Sequence, residues 1–183
     1  MNGMQRVSIT GHTKGIGKSV ADNLKNDYEV LGFSRSTGYN ITKPVDRNRI
    51  FEESQTCDIF INNAFCRDAQ LELFTLFYDA WHNDSSKTII NINSLARLGA
   101  INSLYKDMKC NLHNKWLTVL HSAERKCKII NLSPGFVDTE MINTLNVPES
   151  IVMQPEEFAD FVRWVLTVPS HIEISELSFW RRV

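Results

Sequence analysis

Short apolar runs alternate with amphipathic stretches from one end of the chain to the other, with no repeat, low-complexity tract or Pro/Gly/Ser-rich linker between them. Such alternation predicts strands and helices in turn, and hence a parallel sheet with helices on its faces. Strands are expected at Arg6–Thr10, Tyr28–Phe33, Cys57–Asn62, Thr88–Asn93, Lys128–Leu132 and Glu176–Trp180, with a weak seventh near Tyr39–Ile41. Most read as continuously apolar inside, as strands covered on both faces should.

Helices announce themselves by spacing. Across Ser103–Glu124, Leu104, Met108, Leu112, Trp116 and Leu120 recur every four positions and predict one core-facing stripe. Pro155 suits a first helical position, Glu156 and Glu157 suit the positive first turn, and Phe158, Phe161, Val162 and Val165 make an apolar face. Cys66–Trp81 reads as helical too, whereas Ser34 to Cys57 offers too little chain for the full helices of a doubly wound fold.

Composition narrows the class. With 183 residues, 43% of them hydrophobic, the chain supports one domain with a complete core and no second one. Twenty basic against 21 acidic residues leave a net charge of -1, which gives no broad cationic field for nucleic acid or an anionic membrane. The apolar runs Thr88–Ile90 and Val162–Val168 stop far short of the about 20 residues that cross a bilayer. The opening MNGMQRVSIT lacks a signal-peptide core, so a cytoplasmic location is expected. Cys57, Cys66, Cys110 and Cys127 form no C-x-x-C pair and no ligand spacing with the histidines, so neither disulfides nor a metal site is expected.

Directly after the first strand stands Thr10-Gly11-His12-Thr13-Lys14-Gly15-Ile16-Gly17, leading into a helix in which Val20 and Leu24 face one way. Glycines so placed permit a tight turn, let backbone N–H groups approach a pyrophosphate and bring helix and strand into contact. No Lys-Ser/Thr follows the last glycine as a Walker-type site requires.

The spacing T-G-x-x-x-G-x-G resembles the short-chain dehydrogenase/reductase family in its main short form, and further landmarks follow in that family's order. Asn62-Asn63-Ala64 resembles N-N-A-G, Ser94 follows a strand, Tyr105 and Lys109 make Y-x-x-x-K, and Ser133 to Thr139 resembles P-G-x-V-x-T. Tyr39 and Lys43 also match Y-x-x-x-K, but Pro44 follows and that segment cannot continue as a helix. The resemblance implies a single Rossmann-type α/β domain over residues 1–183, with a mostly parallel sheet of order 3-2-1-4-5-6-7 and a substrate lid near 139–155.

Family members that bind NAD place Asp or Glu at the end of the second strand, whereas this chain reads Ser34-Arg35-Ser36. Arg35 offers a donor fork for a 2′-phosphate, with Ser34 and Ser36 beside it and Lys14 as a second positive charge, so the cofactor expected is NADP(H). By resemblance Gly11, Thr13, Gly15, Ile16 and Gly17 cradle phosphate, Asn40 and Ile41 flank adenine, and Asn63 and Ala64 line the nicotinamide ribose. Pro134, Gly135, Val137 and Thr139 then hold the carboxamide and phosphate.

The resemblance further implies that Tyr105 is the general acid/base, that Ser94 bonds the substrate oxygen, and that Lys109 bonds the ribose and, with the positive nicotinamide of the oxidised cofactor, lowers the Tyr105 pKa from near 10 by about 3 units. Against the family pattern, Phe65 replaces the last glycine of N-N-A-G, and only thirty residues lie between Asn63 and Ser94. The front of the helix after Ala64 is thereby missing, with the relay Asn that family members carry there; Ala69 and Gln70 align nearest to it. The expected function is NADP(H)-dependent hydride transfer to a small carbonyl or from an alcohol, in a homodimer or homotetramer paired through Cys66–Trp81 and Ser103–Glu124. The alternative is an NADP(H)-binding or sensing protein without turnover.

Overall fold

The structure, a computed structural model, describes residues 3–99, 103–143 and 145–182. Six strands, β1 (Arg6–Thr10), β2 (Glu29–Phe33), β3 (Ile59–Asn62), β4 (Thr88–Ile92), β5 (Lys128–Pro134) and β6 (Glu176–Phe179), form one sheet in the order β2-β1-β3-β4-β5-β6. All five pairings are parallel. The helices are α1 (Gly15–Leu24), α2 (Pro44–Glu53), α3 (Ala69–Trp81), α4 (Leu104–Leu120) and α5 (Pro155–Thr167).

Strand alternation sorts the core into two layers. Val7, Ile9, Ile61, Ile90 and Leu132 pack with Val20 and Leu24 of α1 and Phe158 and Val162 of α5. On the other face Phe60, Ile89 and Ile129 pack with Leu73 and Phe77 of α3 and Leu112 and Trp116 of α4. Each such side chain, fully buried, contributes about 1.5–3 kcal/mol.

Three expectations need correction. The seventh strand does not form: around residues 39–41 the Asn40 N–H donates to Asp46 Oδ2 (3.0 Å) and the Ile41 carbonyl accepts from Arg47 (2.6 Å), so the segment is tied to α2 instead of to a sheet edge. The remaining six strands keep the expected order without that edge member. The stretch from Ser34 to Cys57 does hold a helix, the ten-residue α2, because Pro44 sits at the helix start, where its missing N–H is not needed.

The third correction concerns α4, whose buried residues are Lys109, Leu112, Trp116 and Val119, with Leu104 exposed. A repeat of four advances about 40° per step on a 3.6-residue turn, so a row begun at Leu104 drifts off the buried face. The strands are also less apolar than expected. Asn62, Asn91 and Asn131 stand in register on β3, β4 and β5, all buried, and Glu176 continues the row on β6. By alternation from Phe60 and Ile129 this polar row faces α3 and α4.

Candidate functional site

The loop after β1 is shaped by two glycines. Gly11 takes a left-handed φ of +75°, and its N–H donates to the Phe33 carbonyl at 2.7 Å, joining the ends of β1 and β2. A Cβ on Gly17 would stand 2.2 Å from the Gly11 carbonyl oxygen, so α1 packs against the loop only because that position has no side chain. Gly15, Ile16 and Gly17 thus open α1, and the N–H groups of this first turn have no partner within the helix.

A groove of about 540 Å³ lies along the carboxyl ends of β1 and β2. Of the residues expected to bind cofactor, Gly11, Thr13, Lys14, Ser34, Arg35, Ser36, Asn40, Ile41 and Ala64 line it. The sequence did not single out Tyr39, Thr42 and Cys66, which also line it, and Phe65 entered only as a departure from the motif. Among the described residues no carboxylate lines this groove. Ser34 caps the short 3-10 turn Arg35–Thr37 and thereby sets the backbone that carries the exposed Arg35. Lys14 reaches Glu140 at 2.8 Å, an exposed ion pair that joins the loop to the segment after β5.

Other expected residues are placed differently. The Asn63 side chain donates to the Thr10 carbonyl (2.9 Å), while the Asn63 and Ala64 N–H groups donate to Thr10 Oγ1 at 3.1 and 3.0 Å. Asn63 therefore fastens β3 to β1, with Thr10 as a partner that the motif reading passed over. Pro134 ends β5, and Gly135 lies against Trp180. Val137 is buried in a bridge to Met153, and the Thr139 methyl packs on Gly15. The segment 139–155 is thus pinned at its base by the Val137–Met153 bridge; residue 144 lies outside the described residues.

Phe65 forms the inner end of the groove, and Tyr105 and Lys109 come together against its ring, with Ser94 hydrogen-bonded to Tyr105. Ser94 caps the 3-10 turn Leu95–Leu98, its hydroxyl accepting from the Ala96 N–H at 3.1 Å. Ser103 caps α4 by accepting from the Lys106 N–H, which starts the helix that carries both Tyr105 and Lys109. The Lys109 ammonium lies 5.5 Å from the Tyr105 ring centroid, and Phe65 packs edge-on against Tyr105 at 4.8 Å. Phe65 also lies 5.1 Å from the Lys109 ammonium, so its ring borders both groups and the groove. Tyr39, the competing tyrosine, instead donates to the Glu53 carboxylate (2.7 Å).

Burial raises the Tyr105 pKa above its ordinary value, with a hydrogen bond to Ser94 acting the other way. Lys109 is 2% exposed, and burial pushes its pKa down to about 7. The ammonium thus loses much of its charge at neutral pH, and it does not draw the Tyr105 pKa downward.

Comparison with known proteins gives the class. No protein-family model matches the sequence. An uncharacterized oxidoreductase of Staphylococcus aureus strain USA300 is 25% identical over 150 residues, 78% of this chain and 61% of its own length. Another, of strain MRSA252, is 29% identical over 101 residues, 51% of this chain and 42% of its own. The chain therefore spans about half the length of the curated relatives it matches.

Among solved structures, a short chain dehydrogenase from Burkholderia cenocepacia in complex with NADP superposes with a TM-score of 0.79 at 19% identity, covering 96% of this chain and 87% of that one. A 3-ketoacyl-(acyl-carrier-protein) reductase from Brucella melitensis complexed with NADH gives 0.78 at 16% identity, covering 95% and 96%. The chain has the fold of the short-chain dehydrogenase/reductase family, and its sequence relates it to curated oxidoreductases. No helix among the described residues is long and apolar enough to cross a membrane.

Proposed function

We propose that the chain binds NADP(H) and passes hydride between the nicotinamide and a small carbonyl or alcohol, with Tyr105 as acid/base. The observation that carries this reading is the convergence of Ser94, Tyr105 and Lys109 at the inner end of a groove that begins at the glycine loop. The residues present fit a phosphorylated dinucleotide: Gly11 and Gly17 let the loop close tightly where a Cβ would meet protein atoms, and Lys14 and Arg35 line the groove, Lys14 in a solvated ion pair with Glu140 that a phosphate would replace. Arg35 and Lys14 would hold the 2′-phosphate, and the first turn of α1 the pyrophosphate. Solved relatives of this fold were crystallised with NADP, NADPH or NADH, which supports the assignment.

The bound cofactor supplies the hydride for reduction and accepts it for oxidation. In reduction, Tyr105 donates its phenolic proton to the carbonyl oxygen while the carbonyl carbon gains the hydride, giving the alcohol. The raised Tyr105 pKa keeps that proton in place at neutral pH, as an acid requires. Ser94 donates to the same oxygen, and Lys109 stays beside the Tyr105 ring. The hydride and proton account for both hydrogens added, and the reverse transfer oxidises the alcohol.

One observation favours a second reading, NADP(H) binding without turnover: Phe65 borders both Tyr105 and Lys109, and the Lys109 ammonium already has two protein acceptors. Following NADPH absorbance over a panel of small aldehydes and ketones decides between them. Oxidation of NADPH by any member supports the dehydrogenase, whereas stoichiometric binding with no oxidation supports the binder. We also propose self-association; α4 leaves Leu104 and Leu117 exposed, and a monomer mass by light scattering at micromolar concentration rejects it.

A further inference from the structure

The deepest polar contact of the site involves a residue that no motif marks. Gln70, in the first turn of α3, is 2% exposed. Its amide nitrogen donates to the Asn62 carbonyl at 2.8 Å and to the Ile92 carbonyl at 2.9 Å. Those are the last residues of the adjacent strands β3 and β4. Both amide protons are therefore engaged, and the orientation of the amide is fixed: the flipped form would set its oxygen against two carbonyls and its NH₂ against an ammonium. The oxygen so directed accepts from Lys109 Nζ at 2.8 Å, and Ile92 supplies the second acceptor at 2.9 Å. The Asn62 side chain closes the ring by donating to the Gln70 carbonyl at 2.8 Å.

We propose that Gln70 is the positioning residue for Lys109, holding the ammonium at the inner end of the groove through an amide that β3 and β4 lock in place. The inference rests on the dehydrogenase reading for its catalytic consequence, but the contact itself is independent of it. Among the described residues, every acceptor that faces Lys109 is neutral. On α4 itself the titratable neighbour is Tyr105; α3 presents Gln70, β4 the Ile92 carbonyl and the loop after β3 the Phe65 ring. The nearby charges are engaged elsewhere: Glu72 of α3 pairs with Arg47 of α2, and Arg97 pairs with Glu176 of β6, while burial lowers the pKa of His113 on α4. A neutral carbonyl holds an ammonium in place without binding its charge as firmly as a carboxylate does. Gln70 thus fixes position while leaving Lys109 able to give up its proton near neutral pH.

The test is an NMR titration of isotopically labelled lysine in the whole chain, with the Lys109 signal identified by its loss in Lys109→Met. Gln70→Glu places a carboxylate in the same volume, and the Lys109 titration should move up by about 1–3 pH units. Gln70→Met removes the acceptor at similar size; the titration should move down, and kcat should fall about 10–100-fold with a smaller change in KM. A merely structural role moves both variants the same way. Both variants, each shown to be folded, are compared, because only shifts in opposite directions separate positioning from a structural role. Signals that stay put, or that shift together, overturn the assignment. If the shifts appear as stated but the wild-type chain oxidises no NADPH, the positioning role stands and the dehydrogenase reading falls.

Discussion

The two ends of the groove are built on opposite physical terms. At the outer end, Lys14 and Arg35 stand exposed, and the one ion pair there, Lys14–Glu140, is solvated and screened by salt. At the inner end, Lys109 is sealed under α4 with only neutral acceptors, and Tyr105 lies against Phe65. Charges at the first can meet a ligand with little desolvation and select it by sign. At the second, where water is excluded, protonation itself becomes the variable, because burial has moved both pKa values. On the proposed function, recognition and chemistry divide between a wet end and a dry one.

The strongest way to break this division is at the dry end. Tyr105→Phe should lower turnover by about 10²–10⁴-fold while leaving NADPH affinity nearly unchanged, measured by absorbance kinetics beside fluorescence titration. Unchanged turnover would mean that the proton comes from elsewhere.

Next in size is an effect of pH on stability. The unfolded chain keeps the Lys109 proton up to about 10.4, whereas the folded chain releases it near 7. Between those values the unfolded state binds the extra proton, so this group's contribution to stability is lowest below about pH 7 and grows as pH rises toward 10. Urea unfolding should show the wild-type chain gaining about 1.4 kcal/mol per pH unit relative to Lys109→Met across that window. A pH-independent difference would place the charge in water.

Gly17→Ala sharpens the comparison from the loop side. Its Cβ would meet the Gly11 carbonyl oxygen at 2.2 Å, and thermal or urea unfolding should show a loss of about 1–3 kcal/mol together with weakened NADPH binding. The smallest effect belongs to the wet end. Arg35→Ala should cut the preference for NADPH over NADH by about 10-fold, read from parallel fluorescence titrations, and leave stability almost unaltered. An unchanged preference would remove Arg35 from 2′-phosphate recognition.

The features that the sequence made legible are local ones. Strand positions, the helix starts at Pro155 and after Ser103, and the glycine loop follow from short-range pattern, because caps, glycines and alternation act within a few residues. The order of six strands and the groove residues Lys14, Ser34, Arg35 and Ala64 were reached through the family resemblance that those local motifs carry. Pattern misled where a longer-range contact won: Asn40 and Ile41, expected in a strand, gave their backbone groups to α2.

Gln70 shows the limit most clearly. Aligned against a motif it was only a neighbour of a missing residue, and nothing within its own helix marks it. Its role arises because α3 sets it across the ends of β3 and β4, 39 positions from the lysine it touches. By itself, then, the sequence determined the fold and the identities of Ser94, Tyr105 and Lys109 as candidates. The tertiary structure decided their state: packing removed water from Lys109 and Tyr105, and the pKa of an ionisable group follows its solvation and partners, which no stretch of chain carries alone.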